Sequence, residues 1–216
     1  MGRPKRGERV DTPQALRLAA EAEFAAHGFA GTRLEDIAAR VGIKRPSLLG
    51  HFATKEALYE AVIASVFLRL RDSVLAGMAT QGNFDQRLAA VVGTFADALY
   101  DNPAPAQIFV HELLGAHSAK SPDIRYQVAA LLDVVEGFVR HAGQGVLDPQ
   151  VDVRMTVLDI AGSMVLHAVG QPMREVLWTD QSRQVQDKAA SRAHFVALAQ
   201  RLLLPVPALG QGPGGK

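Results

Sequence analysis

The spacing of apolar residues constrains the fold of this chain more than any other feature of its sequence. Apolar side chains recur every three or four positions along most of the 216 residues, and no window alternates between apolar and polar residues as a half-buried strand does. Glycines and prolines divide this pattern into segments of helical length. The sequence therefore predicts an all-α protein of about nine helices.

Local capping signals set the expected ends of these helices. Thr12 and Pro13 suit the start of a first helix that stops at Gly28. Thr32 and Glu35 have the spacing of a capping box ahead of a short second helix, which ends at Gly42. Thr54 is the expected cap of a long helix that runs to about Met78. Further helices are predicted over residues 85–100, 105–115, 123–141, 152–169 and 186–204, with a loop over 171–181 that contains Trp178.

Positive charge is concentrated at the N-terminal end of the chain. Residues 1–55 contain ten Lys or Arg against six Asp or Glu, whereas residues 56–216 contain thirteen against sixteen. The first segment also begins with a basic arm that includes Arg3, Lys5, Arg6 and Arg9. Such an uneven distribution favours a polyanionic partner for the N-terminal end.

Several classes of protein are disfavoured by what the sequence lacks. There is no cysteine, so disulfides and thiolate metal sites are excluded. The start of the chain does not resemble a secretory signal, and the apolar stretch at 160–170 has only eleven residues, too few to cross a bilayer. No nucleophile elbow, phosphate loop or workable carboxylate pair indicates an enzyme. We therefore expect a cytoplasmic protein that is not an enzyme, uses no cofactor and has no membrane partner.

The stretch GIKRPSLLGHF, residues 42–52, is typical of the second half of a helix-turn-helix. A small residue at Ala38 lets two helices approach closely, and Gly42 supplies the left-handed turn between them. The expected apolar wedge between the helices consists of Ile37, Val41, Ile43 and Leu48. The other end of the second helix then presents Lys44, Arg45 and Ser47 to a major groove, where Arg45 can bind guanine O6 and N7.

Phosphate contacts are expected beside this helix. The amides at the start of the helix after Thr54, together with Lys55, suit a phosphate oxygen, and His51 lies one turn earlier. Such contacts position a protein on DNA without reading its sequence. The predicted DNA-binding residues are Arg33, Lys44, Arg45, Pro46, Ser47, His51 and Lys55.

Residues 24–62 resemble the DNA-binding domain of the tetracycline-repressor (TetR) family. Thirteen positions match the family pattern without a gap: Phe24, Gly28, Phe29, Thr32, Ile37, Ala38, Gly42, Leu48, His51, Phe52, Lys55, Glu56 and Leu58. Two positions depart from the pattern, since the family usually has a tyrosine at the position of Leu49 and often a Ser or Thr cap at that of Lys44. Because lysine caps poorly, we expect the third helix to begin at Arg45 or Pro46.

The resemblance implies a homodimer that binds a near-palindromic double-stranded DNA operator. It also implies a repressor whose second domain binds a small, largely apolar effector beside the fourth helix. We expect domains over residues 1–53 and 54–205, and we expect the Gly-rich end over 206–216 to be disordered. An interface formed by the last two long helices would include Gly162, Val165, Leu166, Phe195, Leu198 and Leu202, although packing within one chain also explains these residues. A constitutive DNA-binding protein whose second domain only dimerises remains the alternative.

Other candidate residues have two interpretations each. Phe67, Phe95, Phe109 and Phe138 lie on four helices, where such residues form either a core or the wall of a family-type effector cavity that also includes Glu112 and His167. His111, Glu112 and His117 do not have the spacing of a zinc-binding HExxH motif, so we expect no metal site. Asp159 and His167 suit either a pocket or a hydrogen-bonded interface pair. Trp178 suits either a lid or a surface cover.

Overall fold

The chain is helical throughout most of the part that the structure describes. The computed structural model describes residues 12–114, 122–177 and 188–205, in which no strand occurs. The basic arm, His117, Trp178 and the C-terminal tail lie outside these ranges. Within these ranges the chain forms ten helices, which confirms the prediction of an all-α fold: α1 (Thr12–Gly31), α2 (Leu34–Arg40), α3 (Arg45–His51), α4 (Lys55–Met78), α5 (Phe84–Asp101), α6 (Ala104–Leu114), α7 (Pro122–Ala142), α8 (Val153–Val169), α9 (Gln171–Leu177) and α10 (Lys188–Leu203).

The sequence predicted about nine helices, and the additional helix in the structure is α9. Its residues belong to the stretch 171–181, which was predicted to be a loop, and Pro172 is a residue that usually interrupts a helix. Proline is tolerated in the first turn of a helix, where its missing amide hydrogen would have no partner. Pro172 is the second residue of α9, so it begins this short helix instead of preventing it.

The chain divides into two compact units. Unit 1 comprises Met1–Arg69 and Asn102–Val128, and unit 2 comprises Leu70–Asp101 and Ala129–Lys216. Unit 1 therefore contains α1, α2, α3, most of α4 and all of α6. These units are groups of residues that contact one another and are not continuous stretches of the chain. The predicted domain boundary between residues 53 and 54 stays a prediction.

The end of α1 differs from the capping box that the sequence suggested. Gly28 interrupts the helix with φ 65° and ψ 176°, and the hydroxyl of the buried Thr32 lies 2.8 Å from the Gly28 carbonyl oxygen and 3.1 Å from that of Glu23. Because this hydroxyl donates back to α1, it does not cap the next helix. The N-cap residue of α2 is Arg33, whose side chain forms no capping bond, so the predicted capping box with Glu35 is wrong.

The core of unit 1 joins α1, α2 and α3 to α4 and α6. Phe24 of α1 packs edge-on against Tyr59 of α4 with ring centroids 4.8 Å apart, and Phe29 meets the same tyrosine at 5.0 Å. Other side chains buried here include Leu16, Ala20, Ile37, Leu48, Leu58, Val62 and Ile108. The Thr54 hydroxyl accepts a hydrogen bond from the Ala57 amide at 3.1 Å, which confirms the predicted cap of α4.

Unit 2 is organised around the packing of α10 on α5 and α8. Polar contacts join α5 to α10, where Gln200 donates to Asp85 at 2.7 Å and Arg192 pairs with Asp97. Asp152 accepts a hydrogen bond from the Met155 amide at 3.1 Å and so caps α8 where predicted. Among the helices described, none is both long and apolar enough to cross a membrane.

Candidate nucleic-acid interface

A four-residue turn connects α2 to α3 in unit 1. Gly42 has φ 74°, in the left-handed region that favours glycine. Its amide donates to the Ala39 carbonyl at 3.0 Å, and the amide of Ile43 donates to the Ala38 carbonyl at 3.0 Å. This pair of bonds is a Schellman motif, which satisfies carbonyl groups at the end of α2. The predicted role of Gly42 is confirmed.

The inner face of α3 is held by apolar packing. Leu48 and Ile37 have 0% of their surface exposed, and Ala38 is buried beside them. Val41 and Ile43, in the turn, are half-buried. Two residues of the predicted wedge are therefore fully buried, and two lie at its margin. Burial of a leucine side chain such as Leu48 stabilises the fold by about 1.5–3 kcal/mol. This packing fixes the direction in which the other face of α3 points.

The outer end of α3 is accessible to a partner. Lys44, Arg45, Pro46 and Ser47 are all exposed. The helix begins at Arg45, and Lys44 is its N-cap residue without a capping side-chain bond. This late start confirms the expectation that lysine at this position does not cap the helix.

An ion pair joins this outer end to α2. The Arg45 Nε lies 3.3 Å from Oε1 of Glu35, and the two side chains are 54% and 58% exposed. Sequence reasoning assigned Glu35 to a capping box and missed this contact. Their ten-residue separation across a turn gives no periodic signal that would reveal it.

The remaining predicted DNA-binding residues differ in their exposure. Arg33 and His51 are exposed at the start of α2 and the end of α3. Lys55 is half-buried, with its ammonium nitrogen 4.5 Å from the centroid of the Phe29 ring. Burial lowers the pKa of Lys55, and the neighbouring Glu56 opposes that shift. Lys55 lies at the start of α4 as predicted. Its ammonium group contacts the Phe29 ring of its own chain and does not extend freely into solvent.

Two buried carboxylates of α1 connect this helix to other parts of unit 1. Glu21 accepts two hydrogen bonds from Arg69 Nη2, both at 2.7 Å, and a third from the Asn102 side chain at 2.9 Å. Glu23 pairs with Arg40 at 2.5 Å. A buried carboxylate is costly unless it is paired and hydrogen-bonded, so these partners are needed for α1 to pack. Sequence reasoning missed these contacts, although carboxylates within the apolar stretch LAAEAEFAA were an available signal.

Glu112, predicted to line an effector site, is held by a tyrosine in unit 1. Its side chain is 3% exposed, and the Tyr59 hydroxyl donates to Oε1 at 2.5 Å. Oε2 is buried without a hydrogen-bond partner in the part of the chain described. Burial, and then the hydrogen bond and charge of Glu112, raise the pKa of Tyr59. The predicted neighbours Phe67 and Phe109 belong to the same unit and are half-buried.

The other three residues of the predicted effector site belong to unit 2. Phe95 is half-buried in α5. Phe138 meets Phe84 with ring centroids 6.2 Å apart. The ring of His167 lies 3.0 Å from the Ser191 hydroxyl, and burial lowers its pKa, with further contributions from the charges of Arg174 and His194. The structure therefore distributes the six predicted residues between two units.

The metal interpretation of His111 and Glu112 receives no support from their surroundings. His111 Nε2 lies 3.1 Å from the Ala25 carbonyl oxygen. Its ring also comes within 3.2 Å of the position that a side chain at Gly28 would occupy. Within the described ranges, no group of three or more potential ligands has the arrangement that a metal ion needs.

The residues predicted to form a dimer interface differ in their exposure to solvent. Leu166 is 69% exposed on α8, and Gly162 and Leu202 are exposed as well. Val165 and Leu198 are half-buried. Phe195 is only 4% exposed and packs against the His167 ring of its own chain, so it belongs to the core of unit 2 and is removed from the proposed interface. Further exposed apolar residues on α8 and α9 are Met155, Leu158, Met173 and Val176.

Comparison with known proteins agrees with this architecture. Residues 16–62 match the family profile described as bacterial regulatory proteins of the tetR family. The transcriptional regulator RutR of Escherichia coli K12 is 30% identical over 144 residues, which cover 63% of this chain and 66% of RutR. The chain thus spans just under two thirds of that relative's length.

Solved structures share the fold over almost their whole length. The fatty acid degradation regulator FadR of Bacillus halodurans aligns with a TM-score of 0.71 and 16% identity, covering 91% of this chain and 96% of that one. FadR of Bacillus subtilis, solved in complex with stearoyl-CoA, aligns with a TM-score of 0.66 and 16% identity, covering 86% and 96%. At these identities the likeness establishes the fold alone.

Proposed function

Because the chain belongs to the tetR family of bacterial regulatory proteins, we propose that it is a DNA-binding transcriptional regulator. It acts as a repressor that a small, largely apolar ligand releases from a near-palindromic operator. The observation that carries this proposal is the exposed cationic end of α3, formed by Lys44 and Arg45, on a helix anchored from behind by Leu48. A helix presented in this way suits the major groove, where the first residues of a recognition helix meet base edges.

The roles of the interface residues follow from their chemistry. Arg45 reads guanine through its guanidinium, a bidentate contact that discriminates against a wrong base by about 1–3 kcal/mol. Lys44, Ser47 and His51 contact phosphates or base edges beside it, and their exposure supports this role. Lys55 contributes a phosphate contact at the start of α4. Arg33 and Pro46 complete the surface at the starts of α2 and α3.

Dimerisation through α8 and α10 supports recognition of two half-sites. The exposed residues Leu166 and Leu202 leave apolar surface on these helices, with Gly162 small enough for close approach. Val165 and Leu198, half-buried, border that surface. A twofold axis between two copies places two recognition helices on half-sites about 34–36 Å apart.

Release by an effector is supported by the contacts that tie α1 to α4 and α6 in unit 1. Arg69 of α4 and Asn102, just before α6, both bind the Glu21 carboxylate of α1. Tyr59 and Glu112 join α4 to α6 directly. A ligand that favours another position of α4 or α6 therefore also shifts α1 and the recognition helix, and binding of ligand and operator oppose each other reciprocally.

The site that we propose for this effector lies beside α4 and α6 in unit 1. Phe67 and Phe109 supply half-buried aromatic surface, and Glu112 supplies a buried carboxylate oxygen without a donor among the described residues. The fold is shared with a FadR solved with stearoyl-CoA, so an apolar acyl compound is a suitable first probe. The residues Phe95, Phe138 and His167 are left out of this proposed site because they belong to unit 2.

Selection from a random DNA pool tests the function directly. The full chain is incubated with the pool, and bound duplexes are amplified and sequenced over several rounds. We expect an inverted repeat with a guanine in each half-site. Its affinity for the protein falls when stearoyl-CoA, which has a long apolar acyl chain, or an apolar compound from a panel is added. Failure to enrich any sequence, or enrichment without a repeat, contradicts the proposal.

A further inference from the structure

The ion pair between Glu35 and Arg45 lies on the surface that we propose binds DNA. A carboxylate at this position repels phosphates and opposes DNA binding. Both side chains are more than half exposed, so their attraction contributes little to the stability of the fold. A role in orienting Arg45 explains why a negative charge is placed beside the principal cation.

The atoms that meet explain how this orientation works. Glu35 contacts Arg45 through Nε, the nitrogen closest to the aliphatic stem, at 3.3 Å. A contact at that position leaves the opposite edge of the guanidinium, with Nη1 and Nη2, available for another partner. Guanine presents two acceptors, O6 and N7, that suit this pair of donors.

Glu35 is itself attached to a well-anchored part of the unit. It lies in the first turn of α2, where the partial positive charge of the helix end favours a carboxylate. Its neighbours Leu34 and Ile37 are buried. The carboxylate therefore projects from a turn whose backbone is held by the core.

We propose that Glu35 is a positioning residue for DNA recognition, holding Arg45 by its Nε edge so that the Nη edge meets a guanine. The inference rests on the proposed function, since it requires Arg45 to read a base. Immobilising a long side chain when DNA binds reduces affinity, and an arginine already held in place loses less freedom. Glu35 thus increases the preference for the operator while slightly weakening attraction to DNA of any sequence.

The chain provides a matched control for this idea. Asp36 follows Glu35 in the same turn of α2, carries the same charge and is also exposed. It forms no ion pair with any described residue. Substituting either acid by alanine removes one negative charge near the DNA, but only the change at Glu35 releases Arg45.

The experiment compares the full-length chain with Glu35→Ala, Glu35→Gln, Asp36→Ala, Arg45→Ala and the double variant Glu35→Ala/Arg45→Ala. Fluorescence anisotropy gives the affinity of each for the selected operator and for a shuffled duplex of equal length and composition. The specificity ratio is the affinity for the operator divided by that for the shuffled duplex. Circular dichroism confirms that each variant is folded.

We expect Glu35→Ala to lower the specificity ratio by roughly two- to tenfold. Glu35→Gln removes the charge that forms the ion pair and also lowers the ratio, whereas Asp36→Ala leaves it unchanged. When Arg45 is already alanine, replacing Glu35 changes the ratio less than twofold, because there is no guanidinium to position.

Two results overturn the inference, and they are distinguishable. If Arg45→Ala lowers the ratio but Glu35→Ala does no more than Asp36→Ala, Arg45 reads a base without help from Glu35 and the proposed function stands. If Arg45→Ala leaves the ratio unchanged, both the base-reading role of Arg45 and the positioning role of Glu35 are removed.

Discussion

Charged residues of unit 1 fall into two groups that differ in burial. Lys44 and Arg45 are exposed, where they can meet DNA, whereas Glu21 and Glu23 are buried among arginine and asparagine partners. Exposed charges change affinity and salt dependence, while a buried charge that loses its partner destabilises the fold. Lys55 belongs to neither group, because it is half-buried against Phe29.

Lys55→Ala tests the phosphate contact at the residue scale. We expect equal losses of affinity for the operator and for random DNA, and a salt slope smaller by about one unit, because one phosphate contact is lost. Loss of the cation–π contact with Phe29 also lowers stability by about 0.5–1 kcal/mol. Binding is measured over a series of salt concentrations, with Lys188→Ala in unit 2 as the control. An unchanged slope contradicts the contact.

At the scale of elements, the direction of α3 depends on the turn before it. Gly42 has φ 74°, and a side chain added there would meet no atom within 4 Å. The requirement for glycine is therefore one of backbone conformation and not of space. Any other residue must adopt a strained conformation or alter the angle between α2 and α3.

Gly42→Ala and Gly50→Ala form a matched pair that tests this requirement. Gly50 lies within α3 and also has free space around it. We expect Gly42→Ala to destabilise the chain by about 1–2 kcal/mol and to weaken operator binding, whereas Gly50→Ala stabilises it by about 0.5–1 kcal/mol. Urea unfolding measures both changes. Equal effects of the two substitutions would show that the turn has no special backbone requirement.

The link between α4 and α6 makes a second prediction at this scale. Tyr59→Phe removes the donor to the buried Glu112 carboxylate, and we expect a loss of about 1–3 kcal/mol in the free energy of unfolding. Glu112→Gln keeps an acceptor for the tyrosine hydroxyl and costs less. Tyr126→Phe, at an exposed position of α7, is the control. If Tyr59→Phe is as stable as this control, the hydrogen bond contributes nothing.

At the scale of the whole molecule, the proposed function requires two copies of the chain. One recognition helix covers one half-site, so the affinity for a near-palindrome depends on dimerisation. The exposed apolar residues of α8 and α10, with Leu166 prominent among them, are the surface proposed for this contact.

Leu166→Glu places a charge in that proposed surface, and we expect it to produce monomers at micromolar concentration in analytical ultracentrifugation. Affinity for the operator should fall at least tenfold, because a charge buried at an interface must give up its hydration. Leu18→Glu, at an exposed position of α1, should remain dimeric. A dimeric Leu166→Glu protein would place the interface elsewhere.

The sequence by itself determined the features that depend on neighbouring residues. The helical class, the turn at Gly42, the cap at Thr54 and the late start of α3 were predicted from periodicity and capping chemistry, and the structure confirms each of them. Such features arise within a few residues of the chain, and local patterns record them directly. A separate helix at α9 was missed because a proline in its first turn resembles a break.

Only the tertiary structure decided which charges are buried and which side chains meet. Glu21 is joined to Arg69 and Asn102 across separations of 48 and 81 residues. The ion pair of Glu35 with Arg45 spans a turn whose angle depends on the core. These contacts form only after helices pack, because packing brings together positions that no periodicity connects, and the sequence alone therefore cannot specify them.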